Sequence, residues 1–359
     1  MTSTSSTTLE KPKLKTFGNL LTEVIRKNIC CGCGACATVC PVNIISMKNV
    51  PGKDEQPTMV GKCILCEFCY YQCPWTDPPP SEEEIFGRKR KENEELGIHI
   101  AIYSARTTNE EIAKIASDGG VVTSLLAYML QQKIIDAAVV SGIDEKNPWK
   151  PIPKIVSTTD ELLKTAGTRY TVSPTILGLG SAVDEYGKKR IALVGTPCQI
   201  RALRKMQTTE KGALKYGSKV VLAIGLFCME SFYYDKLIRE YLKDKLDLSK
   251  ISKFSIKKGK FIVKTVDGKE AINVPLKEIR PYARESCHNC TDFTAELADI
   301  SVGSIGSAEG WSTVIVRTEA GRKVFDECVA AGFIKSEALE RIAPGFESII
   351  KLSKTKKKG

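Results

Sequence analysis

Fourteen cysteines occur in this chain, and nine of them fall between residues 30 and 73. Cys30, Cys33, Cys36 and Cys40, closed by Pro41, follow the pattern C-x2-C-x2-C-x3-C-P, and Cys63, Cys66, Cys69 and Cys73, closed by Pro74, repeat it. Thiolates two residues apart wrap three corners of one [4Fe-4S] cubane, while the fourth lies further round the turn and reaches the other cubane. The spacing therefore assigns Cys30, Cys33, Cys36 and Cys73 to one cluster and Cys63, Cys66, Cys69 and Cys40 to a second. A zinc site closes on four ligands and does not call for two such proline-ended arrays. Gly32, Gly34 and Ala35 are small enough to let backbone amides approach the sulfides, and Cys31, outside the comb, reads as a spare thiol packed under the loop.

Four further cysteines are dispersed: Cys198 ends GTPC, Cys228 ends GLFC, and Cys287 and Cys290 form C-x2-C in ESCHNC. Two sit at the ends of expected strands, where a sheet delivers side chains to one rim, and the close pair could complete a four-thiolate site from a loop. Spacing alone leaves a third cluster evenly balanced against core packing with a zinc or empty pair. Cys328 lies in an amphipathic helical pattern and reads as packing. His288, between two candidate ligands, is a candidate supporting residue, and His99 is read as structural.

Paired low-potential clusters carry single electrons, so any chemistry on an organic substrate must be placed elsewhere. The chain contains neither a Walker A sequence nor G-x-G-x-x-G. It does contain small-residue turns at expected element ends: Ser117-Asp118-Gly119-Gly120 before an apolar helix, Gly167-Thr168-Arg169-Tyr170, and Gly195-Thr196-Pro197-Cys198. A glycine turn opening a helix presents free N–H groups to a phosphate or an electron-rich ring edge. An ordinary cap or β-turn explains each of them equally simply.

The elements that would position these groups follow from periodicity. IDAAVVSGI, RIALVGTP, KVVLAIGLF and ADISVGSIG read as buried strands, and stretches near 121–132, 199–207, 233–246 and 321–331 as helices, which together predict an α/β core. ISKFSIKKG and KFIVKTVDG alternate with period two as a hairpin, and WSTVIVRT adds a strand. Pro78 to Pro80 and the charged run after them predict a linker. The expected organisation is a flexible N-terminal tail over 1–20, a two-cluster domain over 21–77, a linker over 78–97, an α/β (α+β) catalytic module over 98–340 and a basic C-terminal tail over 341–359.

With 359 residues, 42% of them hydrophobic, the chain can bury several domains' worth of core. Its longest apolar run, VVLAIGLF, is too short to span a bilayer. No apolar signal stretch follows Met1, so a cytoplasmic location is expected, or one peripheral to the inner membrane face through a partner complex. The net charge of +11 is concentrated in the tails, +2 over residues 1–15 and +5 over 351–359. That distribution predicts solvated basic tails and argues against nucleic-acid binding.

The ordered set SDGGVVTSLLAYML, GTRY, GTPCQIRAL, GLFC, PYARESCHNC and ADISVGSIG resembles the beta-subunit family of coenzyme F420 hydrogenases and dehydrogenases, over residues from about 98 to 340. The N-terminal bacterial-type 2[4Fe-4S] ferredoxin domain makes the architecture similar to the F420H2 dehydrogenase input type. The resemblance implies FAD, a third [4Fe-4S] cluster on Cys198, Cys228, Cys287 and Cys290, and flavin contacts from Ser117, Gly119, Gly120, Thr123, Gly167, Thr168, Arg169, Tyr170 and Thr196. It implies hydride exchange with coenzyme F420 as substrate, and single electrons passed to ferredoxin or partner redox subunits, a membrane-associated complex among them. Ser304 stands where relatives are expected to carry an acidic residue. No general base is named, because orientation and potential tuning carry this chemistry. Two other readings remain: a ferredoxin-dependent flavin reductase of the same module acting on another organic substrate, and a cluster-only electron-transfer subunit.

Overall fold

The computed structural model describes residues 14–209, 211, 214–342 and 345–358. The first cysteine comb lies before a short hairpin, β1 (Ile45–Val50) and β2 (Asp54–Met59), and the second lies after it. Each comb closes on one helical turn, Ala35–Thr38 or Phe68–Tyr71, which carries the third cysteine. Phe17, Leu20 and Val24 pack into this domain's core with Cys36, Cys40, Cys69 and Cys73. The expected flexible tail over 1–20 is thus corrected at its C-terminal end: Phe17–Leu20 is a helical turn whose apolar side chains complete a core too small to close on cysteines alone. Residues 1–13 lie outside the described residues.

The module is built on an eight-stranded sheet in the order β13-β3-β12-β11-β7-β6-β4-β5. Its strands are β3 (Ala101–Thr107), β4 (Ala137–Ile143), β5 (Pro151–Val156), β6 (Ile191–Gly195), β7 (Val220–Leu226), β11 (Ile300–Gly303), β12 (Ser312–Val316) and β13 (Ile334–Ala338). The central block β11-β7-β6-β4 is parallel and its flanks are antiparallel. Parallel strands covered on both faces must be apolar throughout, as IALVG and VVLAIGL nearly are. Leu125, Leu126, Met129, Phe325 and Cys328 cover one face, and Ile176, Leu179, Ile200, Leu203 and Met206 the other. The expected hairpin forms as β8 (Ile251–Lys257) and β9 (Lys260–Thr265), and β10 (Glu270–Pro275) extends it to three antiparallel strands.

Two expected boundaries also change. The 78–97 linker is held to the module: Ser81 caps the helix Glu82–Phe86, Arg90 pairs with Glu82 and Glu296, and Leu96 is buried. The basic C-terminal tail is, over Gly345–Lys357, a helix packed on the module. Ile349 lies in a core cluster with Leu96, Phe293 and Ile315, and Lys354 and Lys357 meet Glu95 and Glu296 at 2.8 and 3.3 Å. Its lysines read as solvated because their acidic partners are far away in sequence.

Candidate redox centre

The two combs fold so that their thiols group as the spacing requires. A cavity of about 20 Å³ is lined by Cys30, Cys33, Cys36 and Cys73, together with Leu20, Val24, Met47 and Pro57. Burial pushes the Cys73 thiol up to about 12, with Cys30 among the neighbours that add to the shift. Burial likewise pushes Cys69 up to about 12, reinforced by Cys66, Cys63 and Cys40, the members of the second set. Buried thiols that repel one another as thiolates gain their charged form when iron takes them. The residues present fit two cubanes.

The dispersed cysteines also converge. Cys198 stands in the first turn of the helix Pro197–Thr208, just past the carboxyl end of β6, and Cys228 just past that of its parallel neighbour β7. The crevice beyond adjacent parallel strand ends is where α/β sheets hold their ligands. The 3-10 turn Glu285–Asn289 brings Cys287 over this edge, its Sγ accepting the Ser231 N–H at 3.3 Å. Burial pushes Cys228 well up, and Cys287, Cys198 and Cys290 add to it, so the four thiols share one neighbourhood. Among the described residues no group of three or more His, Cys, Asp or Glu has the geometry of a site for one metal ion. His288 is exposed, and His99 Nδ1 lies 2.8 Å from the Gly97 carbonyl oxygen, which supports only a structural role.

Two residues missed as functional join the first and third sets. Cys31 is buried, and its thiol interacts directly with those of both Cys33 and Cys198. Arg284, whose side chain is 2% exposed, pairs with Asp54 at 3.2 Å and donates to the Cys30 carbonyl at 3.2 Å. Its own carbonyl accepts the Cys287 N–H at 3.0 Å. The first cluster loop and the ESCHNC loop are therefore tied through one residue. Ile176 N–H to Cys33 O at 3.1 Å, and Lys205 Nζ to Thr76 O at 2.7 Å, fix the ferredoxin domain further onto the module.

The residues nominated for flavin form two groups. The turn Ser117-Asp118-Gly119-Gly120 and the loop Gly167 to Tyr170 lie side by side: the Gly167 Cβ position is 3.9 Å from Ile115 O, and Tyr170 is close enough to feel Asp118. Lys253 of β8 closes over them with a 2.7 Å hydrogen bond to Ala116 O. Arg169 donates to Thr165 O and Gly167 O, yet its Nε has no partner and no carboxylate is paired with it; burial pushes it down to about 10. Ser117 Oγ is likewise buried without a partner. Buried donors left open in this way fit an anionic, hydrogen-bonding cofactor such as a flavin dinucleotide. Thr123 is half-buried in the first turn of the helix Val121–Gln131, and Thr168 is half-buried in its loop. Thr196 belongs elsewhere, its Oγ1 3.3 Å from Cys198 Sγ.

Gly119 and Gly120 have a packing requirement of their own. A Cβ on Gly119 would stand 2.6 Å from Ala105 O and 2.7 Å from Ser312 N, and one on Gly120, at φ +69°, would meet Ile112 and Thr107. Protein atoms, rather than cofactor, demand glycine here. Gly119→Ala should cost about 1–3 kcal/mol of stability while the folded fraction keeps its full flavin content. Denaturation midpoint and flavin absorbance per chain, measured on one preparation, check this.

A ferredoxin-type cluster domain docked on an α/β module with thiols at its strand ends defines an iron–sulfur oxidoreductase class. Residues 102–179 and 188–342 match the N-terminal and C-terminal parts of the coenzyme F420 hydrogenase/dehydrogenase beta subunit, and residues 23–46 match a 4Fe-4S binding domain. The beta subunit of the coenzyme F420 hydrogenase of Methanothermobacter thermautotrophicus is 44% identical over 73% of this chain and 92% of its own length. The F-type chain of the F420H2 dehydrogenase of Methanosarcina mazei is 35% identical over 94% of this chain and 92% of its own. A chain of the F420-reducing [NiFe] hydrogenase complex from Methanosarcina barkeri superposes with a TM-score of 0.71 at 38% identity, covering 75% of this chain and 92% of that one. The chain belongs to the coenzyme F420 hydrogenase/dehydrogenase beta-subunit family.

Proposed function

We propose that this protein is a coenzyme F420-dependent oxidoreductase that exchanges hydride with F420 at an FAD and passes single electrons through three [4Fe-4S] clusters to or from a ferredoxin or partner redox subunit. The observation that carries this reading is continuity. The Cys198 set meets the Cys30 set through Cys31, and the loop bearing Arg169 runs on through Ser173, whose carbonyl accepts Gln199 Nε2 at 2.6 Å beside Cys198. A bound flavin converts two-electron hydride chemistry into single-electron transfers.

The chain's own residues bind and orient. Arg169 and Ser117 offer buried donors to the anionic cofactor, and Lys253 supports the turn they flank. Cys198, Cys228, Cys287 and Cys290 hold the third cluster at the strand ends. The eight comb cysteines hold the other two, and Arg284 fixes the junction between first and third. Among the described residues no helix is long and apolar enough to cross a membrane. A cytoplasmic place, or one on a membrane face through partner subunits, is part of the same proposal. The likeness to the Methanosarcina mazei dehydrogenase chain, which runs through both the ferredoxin domain and the module, favours F420 over another organic substrate.

Cofactor analysis and one variant test the reading. The anaerobically purified protein should carry about one FAD and about twelve irons per chain. Arg169→Leu removes the unpaired guanidinium and should lower FAD occupancy at least about tenfold, as expected where a charged, buried contact is lost, with iron content unchanged. Full FAD retention in that variant would place the cofactor elsewhere.

A further inference from the structure

Lys356, near the end of the C-terminal helix, is 7% exposed. Its ammonium points inward, donating to the backbone carbonyl of Cys287 at 2.8 Å and to that of Met229, the residue after Cys228. No carboxylate pairs with it among the described residues, whereas Lys354 and Lys357 of the same helix both reach glutamates. Its charge acts on Cys228, Cys287 and Cys290, opposing the rise that burial imposes on each thiol. The helix is seated there by Ile349, packed in one apolar cluster with Phe227, Met229 and Phe293, which flank Cys228 and follow Cys290.

We infer that Lys356 is a positioning residue of the third cluster, clamping the Cys228 and Cys287 segments together from the C-terminal helix and holding a buried positive charge that raises the cluster's reduction potential. The inference rests on the third-cluster assignment above. An added electron makes a thiolate-ligated cluster more negative, and a nearby cation in a low-dielectric site favours that state. The raised potential lets this cluster draw electrons from a flavin that the first cluster, further from Lys356, would take less readily. Burying one unpaired ammonium is costly, so an anionic centre beside it is the counter-charge that the site otherwise lacks.

The test is an anaerobic redox titration followed by electron paramagnetic resonance, on the full chain and on Lys356→Met and Lys356→Arg, with iron counted in each. Lys356→Met should lower the midpoint of the third cluster by about 59 mV or more, tenfold in the one-electron equilibrium. The ferredoxin-type signals should stay in place, and Lys356→Arg should stay near the parent. Loss of about four irons in Lys356→Met, restored in Lys356→Arg, supports the clamp equally. A Lys356→Met protein with parental iron and an unshifted third midpoint overturns the inference while leaving the cluster assignment standing. A parent with only about eight irons overturns the assignment and the inference with it.

Discussion

Cys198→Ala should abolish electron delivery to the ferredoxin domain while flavin remains reducible by F420H2. Cys198 is the one ligand of the third set whose thiol also interacts with Cys31, so its loss removes both a corner of the cluster and the link towards Cys33. Iron should fall from about twelve to about eight per chain, and reduction of a one-electron dye by F420H2 should drop by about two orders of magnitude or more, the scale of loss when positioned groups are removed. Flavin bleaching should persist, because Arg169 and Ser117 stand on other loops. Parental dye reduction in this variant would remove the third cluster from the path. The ferredoxin signals should survive, since their eight ligands all lie before residue 74.

Arg284→Met should weaken the junction between the two parts of the molecule by about 3–5 kcal/mol, the usual result of removing one partner of a buried ion pair. The substitution leaves Asp54 without its cation; burial already pushes that carboxyl up, against the pull of Arg284. It also removes the donor to Cys30 O. Adding Asp54→Asn should recover a good part of the loss. Asparagine tolerates the positive φ of 56° at this position and keeps an oxygen for the Tyr234 N–H, which Asp54 accepts at 2.9 Å. Anaerobic denaturation, followed by cluster absorbance, measures both variants. Additive losses in the double variant would mean that the pair is not coupled.

The comb cysteines were legible because cubane ligation fixes local spacing, and the structure sets their thiols side by side as that spacing requires. The parallel block was legible for a similar reason: strands such as Ile191–Gly195 and Val220–Leu226 are apolar along their whole length. β3, which sits between β12 and β13, was hidden because AIYSART mixes polar and apolar residues on a strand buried unevenly. The C-terminal helix was misread because a run of lysines gives no sign of Glu95, Glu296 or a pair of backbone carbonyls nearly seventy or more residues away. Cys31 and Arg284 act through partners remote in sequence, so no local spacing marks them. Gly119 and Gly120 were noticed, but the atoms that exclude a side chain there belong to strands and to Ile112.

Anaerobic titration of the FAD-loaded protein with reduced F420, read simultaneously by flavin absorbance and by cluster paramagnetic resonance, tests the central claim most directly. The account predicts flavin bleaching together with cluster signals, and an uptake above the roughly two electron equivalents that a flavin alone can hold. Clusters that dithionite reduces but reduced F420 leaves oxidised, with flavin bleached or not, would contradict it.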